Sequence, residues 1–575
     1  MAKKITSKTA SKRFERLLSH GYFAPELPPC FVSGRLAKKR NVIWKQIEGV
    51  KARSKDGKVL SDKQAYKTHV SRTAWFKFPR FGRSDRHHGV PNPIAYMAIA
   101  KVLADQFVKL RSRTRMLSRL STSPLVFDWT GTRAILRPTV DLLEDFRLDL
   151  SARREEYVSA DLRAFYHSVY THSIPWAIQG KAEAKANRHG EHYSNLLDLL
   201  SRNAQDGQTI GLPVGPDTSR ILAEVVASGV DAELVANVAL SSNDASRYVD
   251  DYTVSSADSR SAASLVAALR RAAAVYELEL NQDKTAVVPT ATAPASGWKQ
   301  VVLAHRPQQS HYDLDSFKRF FYELGRVRDE RPYINVERWA LMNARSAFLR
   351  CDGNTWKVLT RHLINAYRRN STLVSLFVEL LVARYKSNPN DVDCGAIADF
   401  LCHRIPVLAL EDRTGELIWL LFLMIVLRIK LDAQYFDRLV SLEEPMCALL
   451  IRQAYREGLI LGKLDTSTWD ARVNTIGLDS PMWLYAYEAA RLGFTSGKNK
   501  HIEDHPFFSI FLKHNVSFLS IEGGVAAILG GAAGRRIDNL HQAQLRRAFK
   551  NLTFDDLELE DDMGEDDNLD WETEY

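Results

Sequence analysis

Cysteine is scarce in this chain, with five in 575 residues at positions 30, 351, 394, 402 and 447. None forms a CxxC pair, which argues against a zinc module or a disulfide framework and fits a reducing cytoplasm. Long apolar runs are also missing. The most apolar stretch, LIWLLFLMIVL from Leu417 to Leu427, covers 11 residues, whereas a membrane span needs about 20. It is expected to be a buried helix, and no membrane partner is expected. The N-terminal MAKKITSKTASKR is basic, but no apolar signal core follows it. A third absence is local: the last 21 residues hold seven Asp and five Glu without a single Lys or Arg. That tail, 555–575, has too little apolar content to pack and is expected to be disordered. Without those twelve acids, the net charge of +9 becomes +21 over residues 1–554. A body this basic fits either a polyanionic partner, nucleic acid first, or general solubility.

At this length about two to four domains are expected. Residues 1–84 form a basic region of weak periodicity, in which KARSKDGKVLSDK looks like a loop. PNPIAYMAIAKVLADQFVK, from Pro91 to Lys109, reads as an amphipathic helix opened by proline. The basic segment KLRSRTRMLSR follows, with Lys109, Arg111, Arg113, Arg115 and Arg119. Its alternating arginines would line one face of a strand or lie on a solvated surface. Between about 155 and 305, short strand-like pieces alternate with helices. EEYVSADLRAF is strand-like, ASRYVDDYTVSS looks like a hairpin turning at the aspartates, and SADSRSAASLVAALRRAAAVYELEL reads as a helix. From 309 to 554 helical patterns dominate, spaced as in stacked helix pairs or in an irregular bundle.

Asp250 and Asp251 adjoin inside a strand-like, apolar flank, where aspartate is disfavoured and like charges repel. A tight turn there would present carboxylates at an exposed rim. The best candidate partner is Asp161, at the end of YVSAD. Carboxylates from separate elements can hold two Mg²⁺ ions, as nucleotidyl transfer requires.

Asp161-Leu-Arg-Ala-Phe-Tyr166, Gly211-Leu-Pro-Val-Gly215, Tyr248-Val-Asp-Asp251 and Asn281-Gln-Asp-Lys-Thr285 occur in the order and rough spacing of reverse transcriptase palm motifs. The chain resembles that family from about 85 to 305. The resemblance implies an α+β fingers–palm domain over 85–308, followed by a mostly α-helical C-terminal domain over 309–554. It implies metal binding by Asp161, Asp250 and Asp251, with two Mg²⁺ ions for which Mn²⁺ can substitute. Tyr166, beside Phe165, matches the bulky residue that selects deoxynucleotides; a core aromatic is the plainer reading. Lys284 matches a lysine that donates a proton to leaving pyrophosphate, or is a surface lysine. Gly211, Pro213, Val214 and Gly215 match a loop against the nucleotide or template, although relatives often carry glutamine where Val214 stands. Arg111, Arg113, Arg115 and Arg119 are candidates for triphosphate or strand contact.

DLRAFYHSVYTHSIPWAIQGK and GLPVGPDTSRILAEV look like the bacterial abortive-infection and defence-associated subset. That resemblance implies anti-phage DNA synthesis from dNTPs on RNA or DNA. The template would be a noncoding RNA, or synthesis would be untemplated or protein-primed, with a homo-oligomer or a partner defence protein. A retron- or intron-type copying enzyme and a nucleic-acid-binding scaffold are the alternatives. Priming would need a hydroxyl such as that of Tyr575; a solubilising or shielding tail is the alternative. Arg536 and His541 share the R-x4-H spacing of HEPN ribonucleases, which also arises by chance.

Overall fold

β1 (Lys51–Arg53) pairs antiparallel with β2 (Val59–Gln64), and β3 (Ala74–Arg80) with β4 (Arg83–Val90). β5 (Glu156–Asp161), β6 (Ala245–Tyr248), β7 (Asp251–Val254) and β8 (Ala286–Pro289) form one antiparallel sheet, ordered β6-β7-β5-β8. The computed structural model describes residues 2–531 apart from 54–58, 137–140, 189–190, 239, 256–260, 291–296, 309–311 and 496–498. The acidic tail with Tyr575 and the Arg536–His541 pair fall outside the described residues.

The period-two alternation of β5 and β7 decides what each face of the sheet meets. Val158 and Ala160 pair with Val254 and Tyr252 on one face; Ser159 and Asp161 pair with Thr253 and Asp251 on the other. The first face packs on helices. Helix Ala262–Val275 packs on β5 and on helix Asp217–Val238. Its buried Leu265, Ala268, Leu269, Ala272 and Ala273 follow helical spacing, and the Ser261 side chain caps it by accepting from Ser264 N. Asn92 caps helix Pro93–Leu117 in the same way, with Pro93 at its first position.

That helix runs eight residues past the expected end, through Arg111, Arg113 and Arg115, so the alternating arginines do not lie on a strand. The basic N-terminal region also differs from its expected reading. It opens with helix Ala2–His20, whose Phe14, Leu17 and Leu18 are buried at i, i+3 and i+4, and it packs on helix Pro93–Leu117. KARSKDGKVLSDK contributes β1 and most of β2 rather than a plain loop.

The C-terminal region is helical, with Val336–Arg350, Gly353–Arg369, Val374–Ser387, Thr414–Val426 and Trp483–Arg491 on the expected segments. Every residue of Thr414–Val426 is buried. It packs on Val374–Ser387, Cys394–Leu410 and Pro445–Arg456, and also on β3. Val336–Arg350 packs in turn on Val374–Ser387, so contacts among these helices run between neighbours along the chain, as in stacked helix pairs, and the contact of Thr414–Val426 with β3 is added to that pattern. No described helix is long and apolar enough to cross a membrane.

Bundle and fingers are stitched together. Lys77 N donates to Thr414 Oγ1 (2.9 Å), Lys77 pairs with Asp412, and Arg413 lies 3.6 Å from Asp85. Trp419 Nε1 donates to Glu26 O (2.7 Å) and Trp483 Nε1 to Val90 O (3.2 Å).

Candidate active site

Asp161 ends β5 and stands opposite Asp251, the first residue of β7. On the other side Tyr248 pairs with Asp251, leaving Val249 and Asp250 as a two-residue turn. Turns of this length need a residue at positive φ. Here it is Val249, at φ 58, a costly setting for a β-branched residue. Arg247 Nη1 donates to Val249 O (2.8 Å), and Leu162 N donates to Asp250 O (3.1 Å). The turn is therefore held from below and tied to the chain just past Asp161.

Arg247 is the buried support. It is 0 % exposed and bonds Asp231 through Nε (2.8 and 2.9 Å) and Glu224 through Nη1 and Nη2 (3.1 and 2.8 Å). Tyr252 Oη and Ser118 Oγ also donate to Asp231, at 2.7 and 2.5 Å. Glu224 and Asp231 lie seven residues apart on helix Asp217–Val238, hence on one face. Arg247 and Tyr252 are cross-strand partners aimed at that face.

On the open face the carboxylates crowd. Burial, then the charge of Asp251, pushes the Asp250 carboxyl up to about 6. Burial also raises Asp251, opposed by Arg147 and Arg83. Lys284 pairs with Asp161, which is itself buried. Burial, then Arg83, Arg80 and Arg86, brings the Lys284 ammonium down to about 8. Among the described residues no three His, Cys, Asp or Glu side chains converge closely enough to hold an ion as they stand. The donor set still fits a hard divalent cation: it consists of carboxylate oxygens, and the raised Asp250 marks negative charge lacking compensation.

Tyr166 is half-buried in the turn Phe165–Ser168, edge-on to the buried Phe165. Burial raises its phenol to about 12, with Arg220 opposing and Asp250 adding to the rise. Arg220 follows the GLPVGP loop, and its Nη2 is buried without a hydrogen-bond partner among the described residues. The loop bridges palm and fingers. Leu212 N donates to Tyr166 O (2.6 Å), and Gly89 N of β4 donates to Val214 O (2.9 Å). Gly211 and Gly215 adopt φ 94 and 121, backbone settings that favour glycine. Pro213 and Val214 are both buried.

The four arginines singled out from sequence do not gather here. Arg113 Nε donates to Ala177 O (3.1 Å), on the helix side of the palm. Arg111 and Arg115 share the same helix, and Arg119 is exposed beyond its end. The cations that act on the carboxylates are Arg83, Arg86 and Arg147, joined by Arg80 around Lys284. Arg147 also donates to Thr253 Oγ1 (3.2 Å), on the Asp251 face. A sequence signal existed in PRFGRSDR, where a Phe-Gly turn brings Arg80 opposite Arg83 in a hairpin.

Residues 111–309 match the family model described as reverse transcriptase (RNA-dependent DNA polymerase). This segment is a reverse transcriptase domain. It contains all four palm motifs and the β5–β8 sheet, while β3–β4 precedes it. No curated protein sequence matches the chain. Solved structures similar to it include apo telomerase from Candida tropicalis, at 12% identity and TM-score 0.29, covering 72% of this chain and 71% of that one. Telomerase from Candida albicans with a TWJ fragment of telomeric RNA is similar at 13% identity and TM-score 0.27, covering 74% and 68%.

Proposed function

We propose that this chain is a divalent-metal-dependent DNA polymerase that adds deoxynucleotides to a 3′ end and releases pyrophosphate. The observation that carries the reading is the register that sets Asp161 against Asp251, with Asp250 at the adjoining turn. Two Mg²⁺ or Mn²⁺ ions held by these carboxylates would lower the pKa of the attacking hydroxyl and neutralise charge on the leaving phosphate. The chain's own residues supply the rest. Arg80, Arg83 and Arg86 on the fingers hairpin meet triphosphate charge, and Arg220 offers an unused guanidinium nitrogen beside Tyr166. Tyr166 crowds the sugar edge and so disfavours a 2′-hydroxyl. Lys284, whose ammonium burial and the fingers arginines bring down to about 8, pairs with Asp161 and would serve as the proton donor to pyrophosphate.

The resemblance of the 161–181 and 211–225 segments to defence-associated enzymes extends the proposal to anti-phage DNA synthesis in the bacterial cytoplasm. Its template is a noncoding RNA, or synthesis is untemplated or primed on a protein hydroxyl. The test is incubation of full-length protein with each dNTP or NTP and Mg²⁺ or Mn²⁺, with and without added RNA. Incorporation of dNTPs is expected, with at least about a thousandfold loss in Asp161→Asn and Asp250→Asn. No incorporation by the natural chain, while Asp250→Ala still protects cells from phage, would sink the reading.

A further inference from the structure

Helix Pro93–Leu117 carries its cations away from the carboxylates, into a recess it shares with helices Ser173–Gln179 and Tyr193–Asn203. Pro93–Leu117 and Ser173–Gln179 pack on helix Asp217–Val238, which lies beneath the sheet. The recess therefore opens on the side of the palm opposite Asp161 and Asp251. Its cavity is about 480 Å³, within the range of about 300–1,000 Å³ typical of small-molecule sites.

Five kinds of group line it. Lys109 and Arg113 stand at i and i+4, on one helix face. His192 and Tyr193 offer rings 4.5 Å apart. Ile178 adds an apolar wall, and the buried Gln106 Oε1 accepts no hydrogen bond from any described residue. Glu191 is the one acid among the lining residues. His192 Nδ1 accepts from Ser194 N (3.3 Å), which puts the proton of a neutral ring on Nε2. Burial, then Lys109, holds that imidazole below its usual range and so neutral at pH 7.

We propose that this recess is a second nucleotide site, separate from the polymerase centre. Lys109 and Arg113 meet the phosphate, the Tyr193–His192 pair meets the base, and Gln106 Oε1 accepts from an exocyclic amine. The chemistry is that of one adenine or cytosine nucleotide, free or within a single strand. A neutral His192 adds a donor without adding charge, so most of the anion attraction rests on Lys109 and Arg113.

The test uses full-length protein and two probes, AMP by calorimetric titration and a fluorescent ten-residue adenylate RNA by anisotropy. AMP binding is expected to weaken about tenfold or more in Lys109→Gln and further in Lys109→Gln/Arg113→Gln, and to be unchanged in Asp250→Asn. Lys109 is exposed, so its single variant separates binding from any folding defect at Arg113, which also holds Ala177 O. Displacement of AMP by the RNA assigns the site to a strand, and RNA binding that is lost in Lys109→Gln does so even without AMP binding. AMP binding that the RNA does not displace assigns the site to a free nucleotide. If neither probe binds, or if both bind unchanged in Lys109→Gln, the second site is refuted. AMP binding that persists in a protein unable to incorporate dNTPs would leave this site standing and remove only the polymerase reading.

Discussion

Asp250 links burial to both metal and proton. Its carboxyl sits near 6 in the folded chain, against about 3.9 in an unfolded one. A native pKa above the unfolded one means that folding tightens proton binding. Without divalent metal, the contribution of this carboxyl to stability should therefore fall as pH rises from about 4 to about 6. Added Mg²⁺ should restore it through preferential binding to the native state. Melting temperatures in EDTA across that window provide the check, read as the difference between wild type and Asp250→Asn, because the buried Glu444, pushed up to about 7, adds slope of the same sign. A wild-type profile as flat as that of Asp250→Asn would count against a buried, uncompensated carboxylate. Tyr166 makes a second prediction at this scale. Tyr166→Ala should raise NTP use relative to dNTP by about 10- to 200-fold, the span a steric pocket commands. Single-nucleotide incorporation with each substrate reads it directly.

The unit that presents the aspartates is larger than their hairpin, because Arg247 fastens it to helix Asp217–Val238. Arg247→Met would leave Glu224 and Asp231 buried without their counter-charge, at a cost of about 3–5 kcal/mol. Urea denaturation should show it, and metal affinity should fall as the Val249 carbonyl loses its donor. Gly89→Ala tests the neighbouring joint. A Cβ there would come within 2.7 Å of both Pro213 Cβ and Thr73 Cγ2, so β4 and the GLPVGP loop must part. Destabilisation of about 1–3 kcal/mol is expected, with a raised KM for dNTP.

These elements differ in how far their sequence announces them. The hairpin Ala245–Val254 is legible because β-prone residues flank an adjacent pair of aspartates at its turn. Helix Ala262–Val275 is legible from its spacing and its serine cap. Arg247 is not, because a charged residue in a strand reads as exposed until its partners 16 and 23 residues upstream fold over it. The fingers arginines were hidden in the same way: in a uniformly basic stretch, charge alone does not say which cations face the cleft. In helix Ala2–His20 the buried triplet Phe14, Leu17 and Leu18 was masked by surrounding lysines and arginines.

Across the whole molecule the helical bundle is a structural partner of the fingers. Trp419, 1 % exposed, ties the bundle to the N-terminal region by donating to Glu26. Trp419→Ala should cost about 3–5 kcal/mol. If the two regions share one cooperative unit, fluorescence and circular dichroism will report a single shifted transition. Two separated transitions would instead show that bundle and fingers unfold independently.

One more contact bears on how the molecule is made. Val32 N donates to Phe518 O (3.0 Å), and Phe31 bridges Leu519, so segments nearly 500 residues apart in sequence lie side by side. During synthesis, at about 5–20 residues per second, the segment around residue 31 must wait roughly half a minute or more for its mate. For that interval the early hydrophobic residues lack the surface that buries them. The β5–β8 sheet draws on residues 156–289 alone, whereas the segment around residue 31 reaches its final setting only after residues 518 and 519 have emerged. The sheet that carries Asp161 and Asp251 can thus be complete in the nascent chain before the segment around residue 31 meets its partner.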